Sequence, residues 1–310
     1  MVRPLKFFKL DREGKGRMLN DNKLKRMRDI LTNPGVGLGV GAGDALCAKL
    51  IERAGFDFIW SSSLCVSASF AVPDANLISM SQYCEAARSM NEVVSIPIIA
   101  DCDTGYGNAN NLMYAVKKFE EAGIVGISIE DKKFPKDNSL LDGGRQDLAP
   151  IDEFVGKIKA AKDHQQNKEF IVIARVEALI AGWGQEEAMK RSRRYAEAGA
   201  DCILMHSKAK QPDEILEFIR HWDDPTPIAL VPTNYPSLTL QEVEKLKKVK
   251  LFIYANQPMR ASVKAQEALL EEIKKSGGIH TIDPMMVPVS HIFDIQGVPK
   301  MKENEKKYLV

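Results

Sequence analysis

Acidic side chains recur where short apolar runs end. Asp101 and Asp103 stand in D-C-D-T-G-Y-G-N, Glu130 and Asp131 follow G-I-S-I, Glu177 follows I-A-R-V, and Asp74 lies a little beyond W-S-S-S-L (Trp60, Ser62, Ser63 and Leu64). Carboxylates gathered in one mouth repel and raise one another's pKa unless a cation sits among them. A hard divalent ion meets that need. Oxygen ligands with no His or Cys pair favour Mg2+ or Mn2+ over zinc, and Mg2+ keeps most of its waters. Arg175, His206, Lys136, Asn138 and Ser139 supply positive charge and hydrogen-bond donors from the next such positions. A metal beside those donors suits a small substrate with two anionic ends, the metal polarising an oxo-acid and the cations facing the second anion. A small α-keto acid carrying a phosphoryl group has that shape.

A repeated unit must bring these residues together. The stretches 52–60, 120–129 and 196–205 share one pattern: a helix closed by a glycine (Gly55, Gly123, Gly199) able to adopt the left-handed conformation, then a short apolar strand. Strands are expected at 36–40, 56–61, 96–101, 126–129, 171–176, 202–205, 228–231 and 251–255, alternating with amphipathic helices such as 110–122 and 186–198. Apolar strands alternating with helices imply parallel pairing covered on the outside. The fold class is therefore α/β, a (β/α)8 TIM-type barrel, which places functional groups at the C-terminal ends of the strands. The stretch G-V-G-L-G-V-G-A-G at 35–43 has glycine at every second position of a strand and signals close packing, not a phosphate loop.

One domain is expected over 1–310: an N-terminal extension and basic helix (1–32, the helix at 19–31), the barrel (33–260), and C-terminal helices (261–310) at 263–275 and 290–296. The basic run of the first helix reads as a solvated face, and 300–310 as a disordered tail. With 43 basic against 42 acidic residues, nothing points to nucleic acid or an anionic membrane. Five cysteines without C-x-x-C spacing argue against zinc and a disulfide framework. Arg3, Lys6 and Lys9 precede no apolar export core, and no run of about 18 apolar residues occurs, so a cytoplasmic setting is expected.

Together D-C-D-T-G-Y-G-N, E-D-K-K-F-P-K-D-N-S, A-R-V-E-A-L-I-A-G-W-G and M-H-S-K resemble the phosphoenolpyruvate mutase and phosphonopyruvate hydrolase branch of the isocitrate lyase superfamily, over about residues 20 to 300. The resemblance implies a barrel whose eighth helix is swapped between subunits of a homo-oligomer, dimer or tetramer. It implies Mg2+ held directly by Asp101 and through water by Asp74, Asp103 and Glu130. It sets Ser62, Ser63 and Leu64, with Trp60 beside them, at the substrate carboxylate, and Lys136, Asn138, Ser139, Arg175 and His206 around the phosphoryl group or its gating loop. The lyases of the superfamily carry K-[KR]-C-G-H after strand four; here 132–139 holds neither Cys nor His, which argues against C–C cleavage. Asparagine at 138 resembles the mutases, where hydrolases have threonine. The segments 71–76, 79–81 and 231–236 resemble the hydrolase at least as well. Ser63 replaces a usual glycine, and Gly43 a usually larger residue. The segment 132–148 has the composition of a mobile lid.

Overall fold

The computed structural model describes residues 14–309; Arg3, Lys6 and Lys9 lie outside them. Eight parallel strands close into a barrel in chain order: β1 (Gly37–Ala42), β2 (Phe58–Ser61), β3 (Ile98–Asp101), β4 (Gly126–Glu130), β5 (Ile171–Val176), β6 (Cys202–Met205), β7 (Ile228–Leu230) and β8 (Val249–Tyr254), with β8 pairing back onto β1. The (β/α)8 reading holds. Strand ends shift by up to two residues. Glu130 is the last residue of β4, not the first of a loop, and β1 runs on to Ala42 because Gly41 and Ala42 pair with Trp60 and Ser61.

The covering helices begin with α1 (Gly14–Thr32), followed by α2 (Ala45–Arg53), α3 (Ser63–Ser69), α4 (Met80–Val93), α5 (Ala109–Glu121), α6 (Ile151–His164), α7 (Gly184–Glu197), α8 (Asp213–His221) and α9 (Leu240–Lys245). Their starts are set by local chemistry: Ser79 with Gln82, Asn108 with Asn111, and Thr239 with Glu242 form reciprocal capping boxes. Gly55, Gly123 and Gly199 take φ of +88°, +77° and +100°, as the helix-to-strand turns require. All five cysteines are free thiols.

Two expectations need correction. Lys25 and Arg26 on α1 are exposed, but Lys23 is buried on the Asn91 side chain and Arg28 donates to the carbonyls of residues 168, 169 and 170 and pairs with Asp201 at 2.7 Å. The basic face therefore fastens α1 to the last turn of α4 and to the loops that precede β5 and β6. The expected disordered tail contains a helix. The chain divides after Asn256 into a second compact unit made of α10 (Gln257–Ser276), α11 (Val289–Gln296) and α12 (Val298–Tyr308). In α12, Lys300–Glu303 and Lys302–Glu305 pairs at 2.8 and 2.7 Å, with Pro299 in the first turn, favour helix over coil.

The alternate glycines of β1 show why the strand carries no side chains on one face. A Cβ at Gly39 would lie 2.2 Å from the Phe58 ring, and one at Gly41 1.8 Å from the carbonyl oxygen of Ala255. Gly41→Ala is expected to cost about 3 kcal/mol or more, since backbone cannot yield as a side chain can. Gly156→Ala in α6, where nothing lies within 4 Å, is expected to gain about 0.5–1 kcal/mol. Denaturant titration of the two variants checks both, and an unperturbed Gly41→Ala would refute the close approach.

Candidate active site

The C-terminal rim of the barrel collects an acidic half and a basic half. Asp101 ends β3, Glu130 ends β4, Asp103 follows Asp101 with φ +50°, and Asp74 lies between α3 and α4; all four are buried. Lys136 reaches in from the segment after β4. Its ammonium lies 2.6 Å from Asp103 Oδ1, 3.2 Å from Asp74 Oδ2 and 3.9 Å from Glu130 Oε1. Burial pushes the Asp103 carboxyl up to about 7 and raises that of Asp101, with Lys136 opposing both. Burial would lower the pKa of Lys136, but Asp103, Glu130, Asp74 and Asp101 outweigh it and hold the amine well above its ordinary value. One lysine is thus the built-in counter-charge of a carboxylate cluster.

Both oxygens of Glu130 and Oδ1 of Asp74 are buried and accept no hydrogen bond. Buried carboxylate oxygens that accept no hydrogen bond have the hardness and charge that suit a divalent cation such as Mg2+ or Mn2+. Among the described residues no three acid, histidine or cysteine side chains already form a ligand cluster, and Lys136 sits among the carboxylates. The donor set fits in kind, with Lys136 standing in for part of the charge.

The basic half centres on Arg175 of β5. Its Nε donates to Glu177 Oε1 at 2.5 Å and lies 3.3 Å from Glu130 Oε2; its Nη2 donates to Ser139 Oγ at 2.9 Å and lies 2.8 Å from His206 Nδ1. His206 Nδ1 is also 2.9 Å from Glu177 Oε1. Burial, and then the Arg175 charge, lower the His206 pKa. Burial would raise that of Glu177, but Arg175, Lys132 and His206 hold it well below the usual carboxylate range.

The segment 132–148 closes over the rim. Its base is a bridge between Lys132 and Leu148, and its tip is fixed by Asn138, whose Nδ2 donates to Asp74 Oδ2 at 2.7 Å while Oδ1 accepts from the Leu140 N–H. That pairing fixes which end of the amide faces inward. Asn138 and Lys136 line a cavity of about 50 Å3 together with Trp60, Ser62, Ser63, Leu64, Asp74, Asp101, Ser139, Arg175 and His206. Such a volume holds a few waters, so anything larger enters only if the segment moves.

Asp103 and Glu130 lie beneath this lining, and every other expected site residue borders the cavity. Ser139 borders it with its hydroxyl fully engaged, accepting from Lys132 (2.6 Å) and Arg175 and donating to Glu177 (2.5 Å). Ser63 donates to Asp101 Oδ2 at 3.0 Å, giving the unusual serine a task. Gly43 admits no side chain, because a Cβ there would lie 2.7 Å from the Cys65 carbonyl oxygen on α3. Asp131 takes no part in the acidic half; it accepts from Arg191 at 2.9 Å and Tyr195 at 2.8 Å, behind the rim. Asn76 has a place that sequence reasoning missed: it donates to Asp103 Oδ2 at 2.8 Å and accepts the Lys136 backbone N–H at 2.8 Å. The only sequence signal was an asparagine two residues after Asp74, a residue type that tolerates the φ of +58° found there.

Known proteins resemble this chain over most of its length. The family model described as phosphoenolpyruvate phosphomutase matches residues 30–274. A phosphonopyruvate hydrolase from Variovorax sp. (strain Pal2) is 48% identical over 93% of this chain and 99% of its own. A phosphoenolpyruvate phosphomutase from Tetrahymena pyriformis is 45% identical over 93% of this chain and 95% of its own. A phosphonopyruvate hydrolase structure solved with oxalate and Mg2+ superposes with a TM-score of 0.88 at 46% identity, covering 93% of this chain and 99% of that one. With the barrel, the motifs and these matches in agreement, the chain belongs to the phosphoenolpyruvate phosphomutase family, within the superfamily that also holds isocitrate lyase.

Proposed function

We propose that the protein is a phosphoenolpyruvate mutase, interconverting phosphoenolpyruvate and 3-phosphonopyruvate by moving a phosphoryl group between the enol oxygen and C3. The observation that carries this reading is Asn138 bonded to Asp74 beside a cavity of only about 50 Å3. Phosphoryl transfer through a loose transition state asks the protein for positioning and charge stabilisation more than covalent chemistry. It also asks for dryness, because water reaching phosphorus first would make phosphate instead.

Asp101 directly, and Asp74, Asp103 and Glu130 through water, would hold a divalent cation, Mg2+ or Mn2+. Bound there, such an ion supplies Lewis-acid polarisation of the substrate's oxo and carboxylate oxygens. The Ser62–Leu64 segment, with Trp60, would orient the carboxylate end. Arg175, His206, Lys136 and Asn138 would bind the phosphoryl group as it leaves oxygen, and the lid would exclude water. A phosphonopyruvate hydrolase giving pyruvate and phosphate is the second reading, favoured by the 48% identical relative and by His206, whose Nδ1 lies on Glu177 as in a base held ready for water.

A subunit exchange is proposed as well. The helix α10 buries none of its residues, and Leu46 and Leu50, four apart on α2, stay 50% and 45% exposed. A second copy supplying the C-terminal helices would cover such apolar faces, as a dimer or tetramer.

Phosphorus NMR of the protein with Mg2+ and phosphonopyruvate is expected to show phosphoenolpyruvate accumulating; phosphate with pyruvate instead would establish the hydrolase. Asn138→Thr, which shortens the donor facing Asp74, is expected to raise the phosphate share of product. Asp101→Ala is expected to abolish turnover at any Mg2+ concentration, and turnover restored by excess Mg2+ would remove Asp101 from the direct ligands. Light scattering is expected to give a multiple of the 34.5 kDa chain mass, and Leu46→Glu with Leu50→Glu to lower it; a wild-type monomer would refute the exchange.

A further inference from the structure

Glu177 is fully buried at the exit of β5. Its two carboxylate oxygens face different structures. Oε1 receives Arg175 Nε at 2.5 Å and lies 2.9 Å from His206 Nδ1, both on the barrel. Oε2 receives Ser139 Oγ at 2.5 Å and lies 3.4 Å from Lys132 Nζ, both on the lid segment. The main chain that carries this carboxylate is fixed as well: the Glu177 N–H donates to Asp131 Oδ1 at 2.8 Å, and Asp131 Oδ2 is held by Arg191 and Tyr195.

We propose that Glu177 is a positioning residue that couples lid closure to the orientation of Arg175 and His206, so that the donors for the substrate's second anion are set only when 132–139 is shut. This rests on the reading of Arg175 and His206 as the anion-facing pair. The competition is visible in distances: Arg175 Nε has two carboxylates within reach, Glu177 at 2.5 Å and Glu130 at 3.3 Å. With Glu177 neutralised, the guanidinium keeps only Glu130 at 3.3 Å and Asp101 at 4.0 Å, both in the acidic half, and is drawn toward them, away from the anion pocket. With the lid lifted, Arg175 Nη2 loses the Ser139 hydroxyl that now accepts from it. Closure therefore completes the anion site, and the anion site in turn favours closure, a reciprocal coupling.

The test is Glu177→Gln, which keeps shape and removes charge, in full-length protein with Mg2+ and oxalate. Amide hydrogen exchange across 132–148 is expected to speed up. Oxalate, which lacks the phosphonate, is expected to bind within about threefold of wild type, while kcat for phosphonopyruvate falls at least about 100-fold. Unchanged lid exchange, or oxalate affinity falling in proportion to turnover, would overturn the proposal. Ser139→Ala removes only the lid's side of the contact and is expected to loosen the lid without shifting the unfolding midpoint; a lid as protected as wild type would also overturn it. Should wild-type protein leave phosphonopyruvate untouched, the functional reading fails, and lid exchange in the two variants still decides the coupling.

Discussion

Four carboxylates buried at one barrel rim are a standing electrostatic cost, and the molecule is arranged around the charge that offsets it. Isolated buried anions neutralise or unfold their surroundings; paired ones persist. The ammonium of Lys136 is within 4.0 Å of three of these carboxylates, and it reaches them from a surface segment rather than from the barrel wall. Closure of that segment and neutralisation of the rim are therefore one event. A divalent cation would take over part of the same electrostatic task, which is how a metal and a lid can serve one site without both being needed at full strength.

The basic half obeys the same rule with the signs exchanged. Arg175, Lys132 and His206 surround the single carboxylate of Glu177, and the two halves touch where Arg175 lies 3.3 Å from Glu130. Behind them Asp131, Arg191 and Tyr195 form a third, wholly structural group. A barrel rim can hold this much charge because each strand end is fixed by its neighbours, so partners meet at hydrogen-bond distance without large loss of side-chain freedom.

Much of this was legible from residue order. The left-handed glycines at 55, 123 and 199 marked the helix-to-strand turns, and strand ends then pointed to Asp101, Glu130, Arg175 and His206 as rim residues. Local rules suffice where local rules decide. What escaped was set by distance in space: Glu177 draws its meaning from Lys132, Ser139 and His206, far from it in the chain, as well as from Arg175 beside it, and Asn76 from a backbone N–H sixty residues away. The opposite error occurred at 300–310, where terminal position suggested coil although the Lys–Glu spacing of three, visible in the sequence, supports a helix. Gly43 and Ser63, departures without meaning in one dimension, became a close contact with α3 and a hydrogen bond to Asp101.

Asn76 carries one more implication. Its side chain joins Asp103 on one side to the main chain of Lys136 on the other, so the turn at 74–78 and the tip of the lid are latched to each other by a peptide group whose strength does not depend on the side chain at 136. The two loops are then halves of a single clasp. Parting them breaks the bond to the Lys136 N–H and draws the Lys136 ammonium away from the carboxylate of Asp103, which Asn76 still holds from the other loop.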